Sequence, residues 1–144
     1  MLILCSFILL MQTAQPPAVV MKTLRTRFPG AEIQKWTKET ENGVVLYDIE
    51  FTQQGRKLEA DIRADGTVSN WEREVQLQDA PAAVRETIKT KFPGATVRTI
   101  LAVTAVHNGK EELEGYEVVL ARSDGDEFEI TVAPDGTVLE NKAP

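Results

Sequence analysis

The chain has 144 residues, of which 16 are Lys or Arg and 22 are Asp or Glu, and it contains one Cys and one His. One residue of each kind excludes a disulfide framework and a structural zinc site, which takes about four such ligands. The net charge of −6 argues against nucleic acid and anionic membranes as partners, because both attract proteins with an excess of positive charge.

The N-terminal segment, Met1–Met11, is almost wholly apolar. It is well short of the roughly 20 residues that span a bilayer as a helix, and it is typical of a secretory signal peptide. We therefore predict a signal peptide over residues 1–15, with cleavage between Thr13 and Ala18; a buried N-terminal strand or helix is the alternative. The protein is then exported to the periplasm or the extracellular space, keeps no stable membrane span, and loses Cys5 with the leader.

Two short motifs occur twice in the chain. Phe28-Pro29-Gly30-Ala31 recurs at residues 92–95, and Asp65-Gly66-Thr67-Val68 recurs at residues 135–138. Apolar residues before each Phe-Pro-Gly motif are spaced i, i+4 and i+8, as on one face of a helix, whereas those after it alternate, as in strands. The sequence therefore predicts two tandem repeats, which cover residues 16–75 and residues 76–144.

Three dipeptides that end in glycine divide each repeat into four alternating segments. They are Asn42-Gly43, Gln54-Gly55 and Asp65-Gly66, followed by Asn108-Gly109, Asp124-Gly125 and Asp135-Gly136. Asn-Gly and Asp-Gly favour the tight turns of β-hairpins. The predicted fold class is α+β, with two tandem repeats of one helix plus a four-stranded antiparallel meander and with the helices packed on one face of the sheet.

Prolines and one acidic residue predict where the helices begin and end. Asp79 is expected to cap the second helix, with Pro81 in its first turn, and Pro16-Pro17 stiffens the entry to the first helix. Pro29 and Pro93 should move the preceding phenylalanines out of the helical region. Each helix is therefore predicted to end before its Phe-Pro-Gly motif.

Acidic residues spaced i, i+2 are the first candidates for catalysis, for example Asp48 with Glu50 and Glu59 with Asp61. Such a pair projects to one face of a strand, as a two-carboxylate site requires, but a solvated strand face produces the same pattern. We favour the solvated face, because no apolar surroundings are evident that would raise a pKa. His107 is expected in an exposed loop. The sequence thus predicts no enzyme, no cofactor and no metal ligand.

Two acidic hairpins leave a second function open. Carboxylates are concentrated at residues 124–127 and at residues 111–114, and calcium prefers oxygen ligands. These segments lack the ligand spacing of an EF-hand, so charged turns explain them better. A small-ligand or calcium-binding module of the cell envelope is the alternative function.

Two tryptophans, Trp36 and Trp71, are candidate contacts for a partner protein. The corresponding residues of the second repeat are Ile100 and Asn141, so the repeated fold does not require an indole at either position. If Val68 faces the helix and no bulge intervenes, Trp71 lies on the open face of the sheet, where exposed aromatic side chains anchor partners. The alternative is that both tryptophans belong to the core or to the sheet edge.

The repeated helix, the Phe-Pro-Gly-Ala motif, the closing Asp-Gly-Thr-Val motif and the leader together resemble the PepSY-like, beta-lactamase-inhibitor-like proteins. The resemblance covers about residues 16–142. It implies a concave sheet that grips an enzyme and a role in restraining peptidases at the cell envelope. The expected function is an exported, non-enzymatic protein-binding module that inhibits or regulates an extracytoplasmic hydrolase or peptidase, with Trp36 and Trp71 as candidate contacts.

Overall fold

The structure, a computed structural model, describes residues 14–143, so most of the predicted signal peptide lies outside the described residues. Two α-helices, α1 (Ala18–Arg27) and α2 (Ala82–Lys91), are each followed by four strands. The strands are β1 (Glu32–Glu41), β2 (Val44–Gln53), β3 (Arg56–Arg63), β4 (Val68–Glu74), β5 (Thr96–His107), β6 (Lys110–Ala121), β7 (Glu127–Val132) and β8 (Val138–Asn141). The α+β class is therefore confirmed.

All eight strands form one antiparallel sheet in the order of the chain, β1 to β8. The strands that follow α1 and those that follow α2 are not separate sheets, because β4 pairs directly with β5 from Asn70 opposite Ala105 to Glu74 opposite Leu101. One continuous surface therefore runs across both halves of the protein.

Both helices cover the same face of this sheet. Leu58 lies opposite Arg73, Arg73 lies opposite Ala102, and Ala102 lies opposite Tyr116. Side chains of directly paired residues share a face. Leu58 belongs to the core under α1 and Tyr116 to the core under α2, so the prediction of helices on one face is confirmed.

Each helix buries its apolar stripe against the strands that follow it. Val20 and Leu24 of α1 pack on the alternating apolar residues of β2 and β3, which include Ile49, Phe51 and Ile62. The second core contains Val84 and Ile88 of α2 with Ile100, Val118, Leu120, Ile130 and Val132. Helix periodicity and strand alternation thus meet on one face, and the other face of the sheet has no helix among the described residues.

The C-terminal ends of both helices agree with the sequence prediction, whereas the start of α2 differs from it. Phe28 and Phe92 leave the helical region, with φ of −123° and −128°, as predicted. Asp79 does not cap α2, which corrects the sequence prediction. It closes a short 3-10 turn (Leu77–Asp79), and α2 begins only after Pro81, whose ψ of 146° is extended. The residue before a proline avoids the helical region, so the helix starts later than an Asp79 cap requires.

Candidate functional site

A depression of about 470 Å³ lies on the face of the sheet that the helices leave open. We call it the acidic groove, and its charged or polar lining residues are Glu39, Asp48, Glu59, Asp61, Asn70, Glu72, Glu117, Glu129 and Lys142. Seven of these nine side chains are carboxylates and one is a cation. The groove extends from β1 to the segment that follows β8, so both halves of the chain contribute to it.

Strand pairing places like charges directly opposite one another in the groove. Asp48 of β2 lies opposite Asp61 of β3, and Glu59 of β3 lies opposite Glu72 of β4. The side chains of all four lie on the face of the sheet opposite to that of the buried residues Ile49, Ala60 and Ile62. Like charges in direct opposition destabilise a sheet, so this arrangement costs folding free energy.

Glu72 and Glu117 have the most perturbed pKa values of the groove. The pKa of Glu72 is raised to about 8, mainly by burial and additionally by the nearby carboxylates of Glu117 and Glu59. The pKa of Glu117 is raised to about 7, again mainly by burial, with the carboxylate of Glu129 as the second cause. Both side chains therefore hold protons in a pH range in which an exposed glutamate is ionised.

The pKa values of three further carboxyl groups in the groove are also raised. The pKa values of Asp48, Glu59 and Asp61 are raised, in each case mainly by burial. The amide of Asn70 opposes the effect at Asp61, because its Nδ2 donates a hydrogen bond of 2.9 Å to Asp61 Oδ2. The groove thus concentrates desolvated carboxyl groups in its centre, where burial opposes their ionisation.

Two lysines neutralise the rim of the groove. Lys35 Nζ lies 3.2 Å from Glu50 Oε1 at the β1 side, and Lys142 pairs with Glu129 at the β8 side. None of the ion pairs of residues 14–143 involves Asp48, Glu59, Asp61, Glu72 or Glu117. The uncompensated charge therefore lies between the two lysines.

The expectation of a merely solvated acidic face is wrong at the centre of the sheet. Asp48, Glu59 and Asp61 are only partly accessible, and their pKa values shift because neighbouring side chains exclude water. Sequence reasoning treated each acidic pair by itself and did not find Glu72 or Glu117. The available signal was the alternation of acidic residues on three consecutive strands, always at the parity opposite to the core.

Trp71 does not lie on the open face, because a bulge intervenes in β4; it packs on the core, as in the alternative placement. Ser69 is an extra residue in β4, because Asn70 pairs with Asp61 whereas Val68 pairs with Ile62. This bulge reverses the parity, so Val68 and Trp71 both face the helices. The ring of Trp71 lies 6.0 Å from that of Phe28, and its Nε1 donates a hydrogen bond of 3.1 Å to Glu111 Oε1.

Trp36 faces the helices for a similar reason. The register of β1 shifts at Gln34, and Trp36 pairs with the buried residue Ile49. Its ring lies 6.1 Å from that of Tyr47, and its Nε1 donates a hydrogen bond of 2.9 Å to the carbonyl oxygen of Ala14. Both tryptophans are half-buried against the first core. A role for them in contacting a partner stays a prediction.

The acidic hairpins use their carboxylates within the protein. Asp124 Oδ1 accepts a hydrogen bond of 3.0 Å from the backbone N–H of Asp126, which closes the turn between β6 and β7. Glu111 is held by Trp71 and by Arg27. Among residues 14–143, no group of three or more His, Cys, Asp or Glu side chains is arranged to hold a metal ion.

Two further expectations concern exposed or membrane-spanning segments. His107 is exposed, as predicted, but it is the last residue of β5 and not part of a loop. Neither α1 nor α2 has the length and apolar character that a membrane-crossing helix needs, a finding that covers residues 14–143.

Sequence comparison finds no protein-family match and no match among curated proteins, whereas the fold has solved relatives. A DUF2874 family protein from Bacteroides uniformis is similar with a TM-score of 0.70 and 16% identity, over 88% of each chain. A candidate periplasmic protein from Bacteroides eggerthii has a TM-score of 0.70 and 17% identity, over 89% of this chain and 88% of the other. A BLIP-like protein from Bacteroides fragilis has a TM-score of 0.63 and 16% identity, over 91% and 88%. The chain therefore shares the fold of these proteins.

Proposed function

We propose that this is an exported, non-enzymatic protein-binding module whose acidic groove docks a positively charged surface of a partner protein. The observation that carries the proposal is the set of seven carboxylates on a sheet face that no helix covers within the described chain. A partner that presents Lys or Arg side chains is complementary to this charge. Its cations relieve the repulsion between carboxylates such as Asp48 and Asp61.

The continuous sheet supports an interface of sufficient size. A stable protein–protein interface takes about 800 Å² from each partner, which a four-stranded unit of about 60 residues offers only with difficulty. The groove instead draws residues from β1 through the segment beyond β8. Half-buried carboxylates that become fully paired in a complex are the kind of group that contributes to specificity.

The doubled fold is part of the proposal, with one PepSY-like repeat in residues 16–75 and a second in residues 76–144. Matching contacts support it. Thr23 Oγ1 donates a hydrogen bond of 2.8 Å to the carbonyl oxygen of Gly66, and Thr87 Oγ1 donates one of 2.6 Å to that of Gly136. In each half a helix is thereby tied to the turn that precedes the last strand of its meander.

The protein is exported, and its location is the periplasm. The apolar leader predicts export, and the similar protein from Bacteroides eggerthii is itself described as a candidate periplasmic protein. The similar BLIP-like protein from Bacteroides fragilis supports a role as an inhibitor or regulator of an extracytoplasmic hydrolase or peptidase. Trp36 and Trp71 are retained as secondary candidates for partner contact, at the sheet side where the helices lie.

The test compares capture of periplasmic proteins by three forms of the exported protein. The first is the natural chain, and the second neutralises the groove with Glu59→Gln, Glu72→Gln and Glu117→Gln. A matched control neutralises three exposed glutamates elsewhere through Glu32→Gln, Glu86→Gln and Glu114→Gln. The partner retained by the natural chain is then purified, and its affinity for all three forms is measured by calorimetry.

We expect the control to bind like the natural chain and the groove variant to bind at least about ten-fold more weakly, since each buried charge pair contributes on the order of 1 kcal/mol or more. Binding should also weaken as salt is added. Equal affinity of the groove variant would refute the proposal. Calcium-dependent thermal stabilisation that the groove variant keeps and the control with Glu114→Gln loses would instead favour calcium binding at the acidic hairpins.

A further inference from the structure

A second surface depression, of about 400 Å³, lies at the end of α2 on the helix side of the sheet. We call it the end notch, and its lining includes Lys91, Phe92, Ala95, Arg122, Phe128 and Ala143. Phe92 and Phe128 pack with ring centroids 5.7 Å apart, and the guanidinium of Arg122 lies 5.1 Å from the Phe128 centroid. The end notch therefore combines an aromatic floor with two cations at its rim.

The corresponding place in the first half of the chain is occupied. Phe28, which matches Phe92 in the repeated motif, is only 6% exposed, and the indole of Trp71 packs against it beside the ring of Phe51. Trp71 in turn donates its hydrogen bond to Glu111, and the same carboxylate pairs with Arg27 at the end of α1. An aromatic ring and a carboxylate thus cover the first phenylalanine and its neighbouring cation.

The second half lacks this cover. Trp71 pairs with Ala60, and the strand register gives the matching position to Asn141, which pairs with Ile130. The Oδ1 of Asn141 accepts a hydrogen bond of 2.9 Å from the N–H of Ala143 instead of covering the ring. Phe92 consequently stays half-exposed in the floor of the end notch.

The two rim cations have no acidic counterpart in the described chain. Lys91 corresponds to Arg27, and neither Lys91 nor Arg122 takes part in any ion pair of residues 14–143. A volume of about 400 Å³ falls within the range of pockets that hold ligands, roughly 300–1,000 Å³. The end notch therefore lacks the two groups that cover the matching place in the first half, namely an aromatic ring and a carboxylate.

We propose that the end notch is a docking site for a segment of a partner protein that presents an aromatic side chain beside a carboxylate. The aromatic ring packs edge-on against Phe92, in the manner in which Trp71 packs on Phe28, and the carboxylate pairs with Lys91 and Arg122. This surface is separate from the acidic groove, which lies on the opposite face of the sheet and attracts positive charge. One protein could thus hold a partner at two sites of opposite sign.

The test is an NMR titration of the exported, isotope-labelled protein with capped tetrapeptides of sequence SWES, SWQS and SAES. We expect SWES to bind with a Kd on the order of 1 mM, with chemical-shift changes confined to residues 91–95, 122–128 and 141–143. SWQS should bind about five-fold more weakly, as expected for the loss of one exposed ion pair. SAES should cause no change at these residues.

Two sets of variants test whether the peptide SWES binds in the end notch. Asn141→Trp should fill the end notch with the chain's own indole and abolish the SWES shifts, whereas the control Leu139→Trp, at an exposed position of the same strand, should leave them intact. The combined variant Lys91→Gln and Arg122→Gln removes both rim charges, that of the exposed Lys91 and that of the half-buried Arg122. It therefore tests the carboxylate contact even if Asn141→Trp fails to fold. It should weaken SWES binding to the level of SWQS.

Several results would overturn the proposal. They are shifts by SWES outside the end notch, no shifts at millimolar peptide, or unchanged SWES binding by the Lys91→Gln and Arg122→Gln variant. Shifts of the same residues on dilution of the protein alone would show that a second copy of this chain occupies the notch. The groove variant with Glu59→Gln, Glu72→Gln and Glu117→Gln should bind SWES normally, so failure of one proposal does not affect the other.

Discussion

Trp71 and Glu111 connect the two halves of the protein through a hydrogen bond of 3.1 Å from the indole Nε1 to the carboxylate Oε1. Trp71 lies in β4, and Glu111 lies near the tip of the hairpin formed by β5 and β6. Arg27 at the end of α1 pairs with the same carboxylate. The hairpin of the second half is therefore bound to the helix and core of the first.

Replacing Trp71 should mainly reduce stability. Trp71→Ala removes the packing against Phe28 as well as the hydrogen bond, and we expect the free energy of unfolding to fall by about 2–3 kcal/mol, below the roughly 3–5 kcal/mol of a fully buried aromatic residue. Trp71→Phe keeps a ring on Phe28 and should cost about 1 kcal/mol, the value of one hydrogen bond. Urea denaturation measures both. Equal losses for the two variants would show that the ring contact contributes nothing.

The turn before β8 depends on a glycine for two independent reasons. Gly136 has a φ of +91°, and a Cβ atom there would lie 2.9 Å from the carbonyl oxygen of Ala83 and 2.9 Å from Thr87 Oγ1. Gly125 has a similar φ of +94° but open space around it. Gly136→Ala should thus destabilise the protein by about 3 kcal/mol, and Gly125→Ala by about 1 kcal/mol from backbone strain alone.

Thermal and urea unfolding of these two alanine variants separate the steric effect from the conformational one. If both variants lose the same stability, the close approach of α2 to the turn is not a constraint. A larger loss for Gly136→Ala supports the contact in which Thr87 donates its hydrogen bond to the carbonyl oxygen of Gly136.

Asp79 provides a direct comparison between the sequence prediction and the structure. As an N-cap it would contribute about 1 kcal/mol, but the structure shows no side-chain cap at the start of α2. Asp79→Ala should therefore change the unfolding free energy by less than about 0.5 kcal/mol. Asp135→Ala is the control and should cost more, because Asp135 Oδ1 accepts a hydrogen bond of 2.9 Å from the Thr137 N–H. A loss from Asp79→Ala as large as that from Asp135→Ala would restore the capping role.

The alternation of apolar residues was sufficient to predict the helices, the strands and the helix-covered face. It could not predict the side of the sheet on which Trp36 and Trp71 lie, because the bulges at Gln34 and Ser69 reverse the parity. A bulge depends on the register with the neighbouring strand, and register is a property of the folded sheet rather than of one segment.

The acidic groove likewise depends on strand pairing that one segment of the sequence does not reveal. The parity of Glu59 and Asp61 in β3 is evident from the alternation of Leu58, Ala60 and Ile62. Glu59 lies opposite Glu72 because β3 pairs with β4. The approach of Glu117 to Glu72 depends in addition on the pairing of β4 with β5, which joins the halves into one sheet. The sequence motifs mark the ends of the strands but contain no signal for this long-range pairing.

The raised pKa of Glu72 makes stability depend on pH in a defined direction. The ordinary pKa of a glutamate is 4.5, and in the folded protein that of Glu72 is about 8. Between these values the folded state retains a proton that the unfolded state has released, so the free energy of unfolding falls as pH rises. Glu117, with a pKa of about 7, acts in the same direction. The protein should therefore be more stable at pH 5 than at pH 8.

Glu72→Gln isolates this contribution, because an amide of similar shape does not titrate. We expect the variant to lose part of the decrease in stability between pH 5 and pH 8 and to exceed the natural protein in stability at pH 8, with melting temperature and urea midpoint as the measurements. Glu41→Gln, at an exposed position near the end of β1, is the matched control and should leave the pH profile unchanged. A natural protein equally stable at both pH values, or a Glu72→Gln profile identical to it, would show that Glu72 is ionised in the folded state at neutral pH, as an exposed glutamate is.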